Sequence, residues 1–292
     1  NRESSPEKGE LFFANSTKRA EIYPLIYCIL MQNGARGGLE MARKIVVTSG
    51  KGGVGKTTVT ANLGVQLAKN GCRVVVCDLD FGLNNVDVVL GVENLASFDV
   101  IDAIEGRCRP KQALVRHPRY PTLYSLASNR ISERYVSPQA VRLILDTLAP
   151  QFDYILIDSP AGIDEGFHRA VACAEEALLV TTPHISAMRD ADRVGNMLKG
   201  YRLSRIGLVV NMVRGDLVRR GEILTPEEIA KALRIPLTAI VPEEDKIFLE
   251  NVADRVRAFK LLANFYTGKP QEEGERKYTG LWGALMRGLK NR

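Results

Sequence analysis

From Met41 onward the chain alternates between two rhythms of apolar and polar positions. Short apolar runs, largely β-branched, cover Lys44 to Thr48, Arg73 to Cys77, Leu123 to Leu126, Tyr154 to Ile157, Ala177 to Val180, Ile206 to Val210 and Leu237 to Val241. Stretches of helical period separate most of them: about Lys56 to Lys69, Pro138 to Leu148, Glu165 to Ala174, Ala187 to Leu198 and Pro226 to Leu233. Asn70-Gly71 is a stop signal for the first of these helices. Near-continuous apolar strands alternating with helices predict an α/β fold of three layers, a mostly parallel sheet covered by helices on both faces. Ligands of such sheets bind beyond the carboxyl ends of the strands. The chemistry is therefore expected just after each apolar run.

The distinctive residues fall there. Gly50-Lys51-Gly52-Gly53-Val54-Gly55-Lys56-Thr57, followed by Thr58, follows the first strand and opens the first helix. It matches the phosphate-binding pattern GxxxxGK[ST]. The glycines let backbone N–H groups curl around phosphate oxygens. Lys56 reaches the β- and γ-phosphates, the Thr57 hydroxyl can ligate Mg²⁺, and the helix adds its positive dipole end. The second strand runs into Asp78-Leu79-Asp80, two carboxylates on the same side of an extended chain. That suits one for the Mg²⁺ shell and one for orienting water. Asp158 ends the fourth predicted strand, where a P-loop enzyme holds Mg²⁺ through water.

Composition changes the picture only at the ends. The 292 residues are 45% hydrophobic and 25% charged, which excludes wholesale disorder and fibrous repeats. No apolar stretch approaches the ~18 residues of a spanning helix. Five scattered cysteines (Cys28, Cys72, Cys77, Cys108, Cys173) without a CxxC read as reduced thiols, and His117, His168 and His184 are isolated. The formal net charge is +6. In residues 1–40 five basic residues cancel five acidic ones, whereas Arg276 to Arg292 carries five basic residues and no acidic one, which leaves the body near +1.

The first forty residues mix charge with Gly and Asn and keep no period. The apolar run Ile22 to Met31 after Lys18-Arg19 lacks a cleavage site. The expectation is that residues 1–40 are a translated leader and that the natural protein begins at Met41. At the other end, Leu281, Trp282, Leu285, Met286 and Leu289 form one face of a helix, with Arg287 and Lys290 off it. Ten residues rise only ~15 Å, too short to cross a bilayer but suited to lying in its surface. Gly280, Gly283 and Gly288 weaken that helix in water by roughly 1 kcal/mol each. One copy is thus expected to bind anionic lipid weakly, and two tethered copies far better. The domain reading is a leader (1–40), an ATPase domain (41–268), and a linker with an amphipathic membrane-targeting helix (269–292).

The second lysine of KGGVGKTT, Lys51, marks a resemblance to the deviant Walker A P-loop ATPases, the ParA-MinD family. Four segments resemble its septum site-determining branch. They are Met41 to Ser49, Asp80-Phe81-Gly82-Leu83-Asn84-Asn85-Val86-Asp87, Ile157-Asp158-Ser159-Pro160-Ala161-Gly162-Ile163, and Met188-Arg189-Asp190-Ala191-Asp192-Arg193. The resemblance implies an ATP hydrolase using ATP and Mg²⁺ that forms a homodimer when ATP is bound, with Lys51 crossing to the partner's phosphates. It implies that Asp80 positions water, Asn85 supports the γ-phosphate side, and Asp158 is the Walker B acid. Asn211 with Pro242-Glu243-Glu244 would frame adenine and ribose, although Met212 stands where some relatives carry a basic residue. The helix around Arg189, Asp190 and Asp192 would face partners. Those partners would be the division inhibitor MinC and an activator, MinE or an adaptor, with the protein cytoplasmic and peripheral on the inner face of the cell membrane. Two rivals remain open: a flagellar-number regulator with a similar tail, and a ParA-type partitioning ATPase. The near-neutral body argues against the DNA binding that the second would need.

Overall fold

Alternation along the strands sends successive side chains to opposite faces of one sheet, and each face builds its own core. In β1 (Arg43–Thr48), Ile45 and Val47 join one core and Val46 joins the other. The other strands are β2 (Val74–Asp78), β3 (Leu114–Arg116), β4 (Leu123–Leu126), β5 (Tyr154–Asp158), β6 (Glu176–Thr181), β7 (Arg205–Val213) and β8 (Leu237–Pro242). They form a single sheet in the order β3-β4-β2-β5-β1-β6-β7-β8. Every neighbouring pair is parallel except β3 with β4, which is antiparallel. The structure is a computed structural model that describes residues 41–81, 85–128, 136–250 and 252–269. The chain divides between Glu40 and Met41, and all the described residues belong to the second unit. The leader reading of residues 1–40 and the membrane reading of Leu281, Trp282, Leu285, Met286, Arg287, Leu289 and Lys290 lie outside the described residues.

Ten α-helices occur among the described residues: α1 (Lys56–Lys69), α2 (Val86–Leu90), α3 (Val100–Ile104), α4 (Pro138–Leu148), α5 (Glu165–Ala172), α6 (Ile185–Leu198), α7 (Gly215–Arg220), α8 (Pro226–Leu233), α9 (Asp245–Leu249) and α10 (Arg257–Thr267). The core with Ile45 and Val47 packs α1, α2 and α10; the core with Val46 packs α3, α4, α5, α6 and α8. Local chemistry sets several starts. Ser137 Oγ accepts from the Ala140 N–H ahead of Pro138, and Thr225 with Glu228 forms a capping box ahead of Pro226.

The three-layer fold matches the sequence reading, and to its elements the structure adds β3 and the helices α2, α3, α7, α9 and α10. β3 is an unanticipated edge strand, and among the described strands its antiparallel course is the one break in the parallel order. α10 was also not anticipated, yet it closes the domain over α1 and β8. Its last turn is fixed from the sheet. The Arg43 guanidinium lies between the Tyr154 and Tyr266 rings, 5.5 and 5.3 Å from their centroids. Arg43 also donates twice to Glu176 Oε1, at 2.9 and 2.7 Å, and once to the Tyr266 carbonyl at 2.9 Å. The four described cysteines are free, and Cys77 and Cys173 are buried apolar fillers whose thiols burial pushes up.

Candidate nucleotide site

The central strand β1 delivers residues 49–56 to the carboxyl rim of the sheet, with β5 on one side and β6 on the other. Gly55 takes the left-handed conformation (φ 84°) that turns the loop into α1. The space at Gly55 is filled already, because an added Cβ would stand 2.2 Å from Asn211 Nδ2. Asn211 is buried on β7 and donates to the Val54 carbonyl at 2.8 Å. It therefore braces the back of the phosphate loop. Lys51, Gly52 and Gly53 are exposed, whereas Val54 and Lys56 are buried and Thr57 and Thr58 are half-buried.

Asp158 gathers the reactive side chains. Its Oδ1 lies 3.0 Å from Lys56 Nζ and accepts from Thr60 Oγ1 at 2.9 Å, and its Oδ2 accepts from Thr57 Oγ1 at 2.7 Å. Both ends of the ion pair are buried, the side chains being 8% and 1% exposed. Thr60 was missed by the sequence reading. The available signal was its place one helical turn beyond Lys56 in a helix running off the loop.

Asp78 and Asp158 are register partners in the adjacent parallel strands β2 and β5. Burial and the Asp158 charge push the Asp78 carboxyl up to about 7, against the pull of two N–H donors and of Lys56. Those donors are the backbone of Asp80 at 2.8 Å, on Oδ1, and of Val86 at 3.1 Å, on Oδ2. Asp78 thus spans the loop from the end of β2 to the start of α2, and both its oxygens are engaged by backbone rather than by Thr57. Asp80 is half-buried, and burial raises its carboxyl too, with Lys56 pulling it down. Asn85 is exposed at the start of α2.

The raised Asp78 gives a pH prediction. Its ordinary value is 3.8, so between about pH 4 and 7 the folded chain holds a proton that the unfolded chain releases. The stability this lends is complete below the lower value and is lost as pH rises through about 7. In nucleotide-free protein, Asp78→Asn should flatten the fall in urea midpoint between pH 5 and pH 8. An unchanged slope would contradict it.

The remaining residues flank this centre. Lys51 Nζ reaches Ser186 Oγ at 3.5 Å, at the start of α6. Gly50 abuts the same helix, since a Cβ there would come within 2.3 Å of the Asp190 carbonyl carbon. Arg189 and Asp192 are exposed on α6 and Asp190 is half-buried. Pro242 ends β8, and the Glu243 N–H donates to the Val213 carbonyl at 3.2 Å. Glu244 leads into α9. The sequence reading noted no basic residue directly after Asn211, but Arg214 follows the end of β7, at the start of α7. Its guanidinium pairs with Asp216 at 2.8 Å and reaches Glu243 at 3.8 Å.

These residues suit a magnesium nucleotide. The loop is a glycine cradle on a helix N-terminus, with one buried lysine to meet phosphate. Thr57 and Asp158 present hard oxygen donors of the kind Mg²⁺ takes.

Comparison with known proteins agrees. The ParA family, described as the NUBPL iron-transfer P-loop NTPase, matches residues 40–222. The septum site-determining protein MinD of Thermotoga maritima is 45% identical over 212 residues, 72% of this chain and 78% of that one. Among solved structures, the MinC:MinD cell division protein complex of Aquifex aeolicus superposes with a TM-score of 0.72 at 36% identity, over 79% of this chain and 97% of that chain. MinD complexed with Mg-ADP from Pyrococcus horikoshii gives 0.69 at 32% identity, over 78% and 97%. The fold is that of a ParA-class P-loop ATPase, an ATP hydrolase. Within that class the chain belongs to the MinD family of septum site-determining proteins.

Proposed function

We propose that this protein positions the division septum as a nucleotide-gated ATPase at the membrane surface. ATP holds two copies together, the pair settles on anionic lipid through residues 281–290, and the bound form recruits MinC. Hydrolysis returns it to solution, so its place on the inner face of the cell membrane is peripheral and reversible rather than embedded. The observation that carries this reading is the lysine pair of the phosphate loop. Lys56 is buried against Asp158, whereas Lys51 is exposed at Ser186. An exposed lysine on the loop is free to serve a second copy. Among the described residues no helix is long and apolar enough to cross a membrane.

In this reading the loop N–H groups and Lys56 bind the phosphates, and Thr57 with Asp158 would hold Mg²⁺. When bound, Mg²⁺ neutralises charge on the phosphate oxygens. Asp80 accepts a hydrogen bond from the attacking water and so aims it at the γ-phosphate. Asn85 supports that side, and Asn211 with Pro242, Glu243 and Glu244 borders the base. MinE or an adaptor would act as activator.

Sedimentation with anionic liposomes tests the proposal. With ATP most of the protein should pellet; with ADP, or after deletion of residues 278–292, the pelleted fraction should fall about tenfold, as loss of paired anchors implies. Lys51→Ala should behave like the ADP form. Equal sedimentation in all arms would discard the membrane switch, and ATP-dependent retention on DNA would move the protein to the partitioning class.

A further inference from the structure

Phe81 follows Asp80 directly in the chain and packs against the core on the α5 side of the sheet. The guanidinium carbon of Arg169, on α5, stands 4.6 Å from the Phe81 ring centroid. A cation at that range is held by the ring's negative face. Arg169 Nη1 also donates to the Val136 carbonyl at 3.3 Å.

α5 is coupled to the phosphate site through its first turn. A Cβ at Gly166 would come within 2.5 Å of Pro160 Cγ, so the first turn of α5 rests on the loop that follows Asp158. That loop is laced to β1 and to the entrance of the phosphate loop. The Ser159 N–H donates to the Val47 carbonyl at 3.2 Å, and the Gly162 N–H donates to the Ser49 carbonyl at 2.9 Å. Asp80 is therefore gripped from both sides in sequence. Its own N–H is bonded to Asp78 Oδ1, and the next residue is pinned by a cation carried on α5.

We propose that Arg169 is a positioning residue for ATP hydrolysis: by clamping Phe81 it fixes Asp80 relative to the loop after Asp158. This deepens the site reading above and rests on Asp80 orienting the attacking water. Misplacing such a group by 1 Å can cost on the order of a hundredfold in rate without touching substrate binding. A half-buried clamp replaced by solvent shifts Asp80 by less, so a smaller loss is expected.

The test uses the full chain with Mg-ATP, and each variant is first checked for folding by urea titration. Arg169→Ala should lower kcat roughly tenfold and leave ATP affinity within about twofold, the signature of an interaction used only in the transition state. Arg169→Lys keeps a cation near the ring and should recover most of the rate. Phe81→Leu should match Arg169→Ala, and the double variant should lose no more than either alone, because both act through one contact. Additive losses, or a normal kcat in Arg169→Ala, would overturn the clamp. Asp80→Asn separates this from the underlying reading. If Asp80→Asn hydrolyses ATP normally, the Asp80 assignment fails. If it is inactive while Arg169→Ala turns over normally, only the clamp fails.

Discussion

Lys56→Ala should abolish ATP hydrolysis and also lower the stability of the nucleotide-free protein by about 3 kcal/mol, the scale for breaking a buried ion pair from one side. The two losses have different origins. Activity fails because no other side chain among the described residues takes the place of Lys56 between the loop and Asp158. Stability falls because Asp158, 1% exposed, loses the ammonium 3.0 Å away and is left with the Thr57 and Thr60 hydroxyls. A second substitution tells them apart. Asp158→Asn in the Lys56→Ala background removes the unpaired charge and keeps an acceptor for the hydroxyls. It should restore at least half of the lost stability and none of the activity. Urea unfolding with parallel phosphate-release assays reads both, and a Lys56→Ala protein as stable as the parent would contradict the argument.

The next largest effect is expected at Gly50. Its Cα faces the main chain of α6, where a Cβ would sit 2.3 and 2.4 Å from the Asp190 carbonyl carbon and oxygen and 2.8 Å from the Ala191 nitrogen. Backbone cannot rotate aside as a side chain can, so loop or helix must move. Gly50→Ala should destabilise by about 2–3 kcal/mol, the upper range of overpacking costs, and weaken ATP binding at least tenfold through displacement of the phosphate loop. Gly52→Ala is the contrast, because nothing lies within 4 Å of its added Cβ. Its stability should change by less than ~0.5 kcal/mol. Thermal unfolding and titration with a fluorescent ATP analogue measure both, and equal effects at the two positions would refute the steric account.

Much of this was legible from one dimension because it was local. The phosphate loop is contiguous, its glycine turn and helix start are written in eight residues, and Asp158 follows an apolar run. What escaped was set by neighbours distant in sequence. β3 is three residues long and exists because Leu114 to Arg116 pair with β4; no hydrophobic period can be read in three residues. α10 lacks a side-chain cap at Val256, and its last turn is anchored by Arg43 of β1, more than two hundred residues away in sequence. Asp78 reads as a metal carboxylate by position, but the fold returns the chain so that the Asp80 and Val86 amides meet it. The Arg169–Phe81 contact joins residues 88 apart in number, and nothing in either neighbourhood announces the other.

The anchoring of α10 also bears on how far a nucleotide's influence can extend. The Tyr266 carbonyl is held by Arg43 and by the Tyr154 hydroxyl, both at the amino ends of their strands, while the phosphate loop leaves the carboxyl end of β1. Six residues of strand put ~20 Å of sheet between the two rims. Chain leaving at Lys269 thus starts beyond the touch of any phosphate bound to the same copy. A message from nucleotide to that segment need not bend the intervening domain at all. It can be carried as a count, one exit point or two on a single body, and read by a surface that responds to number.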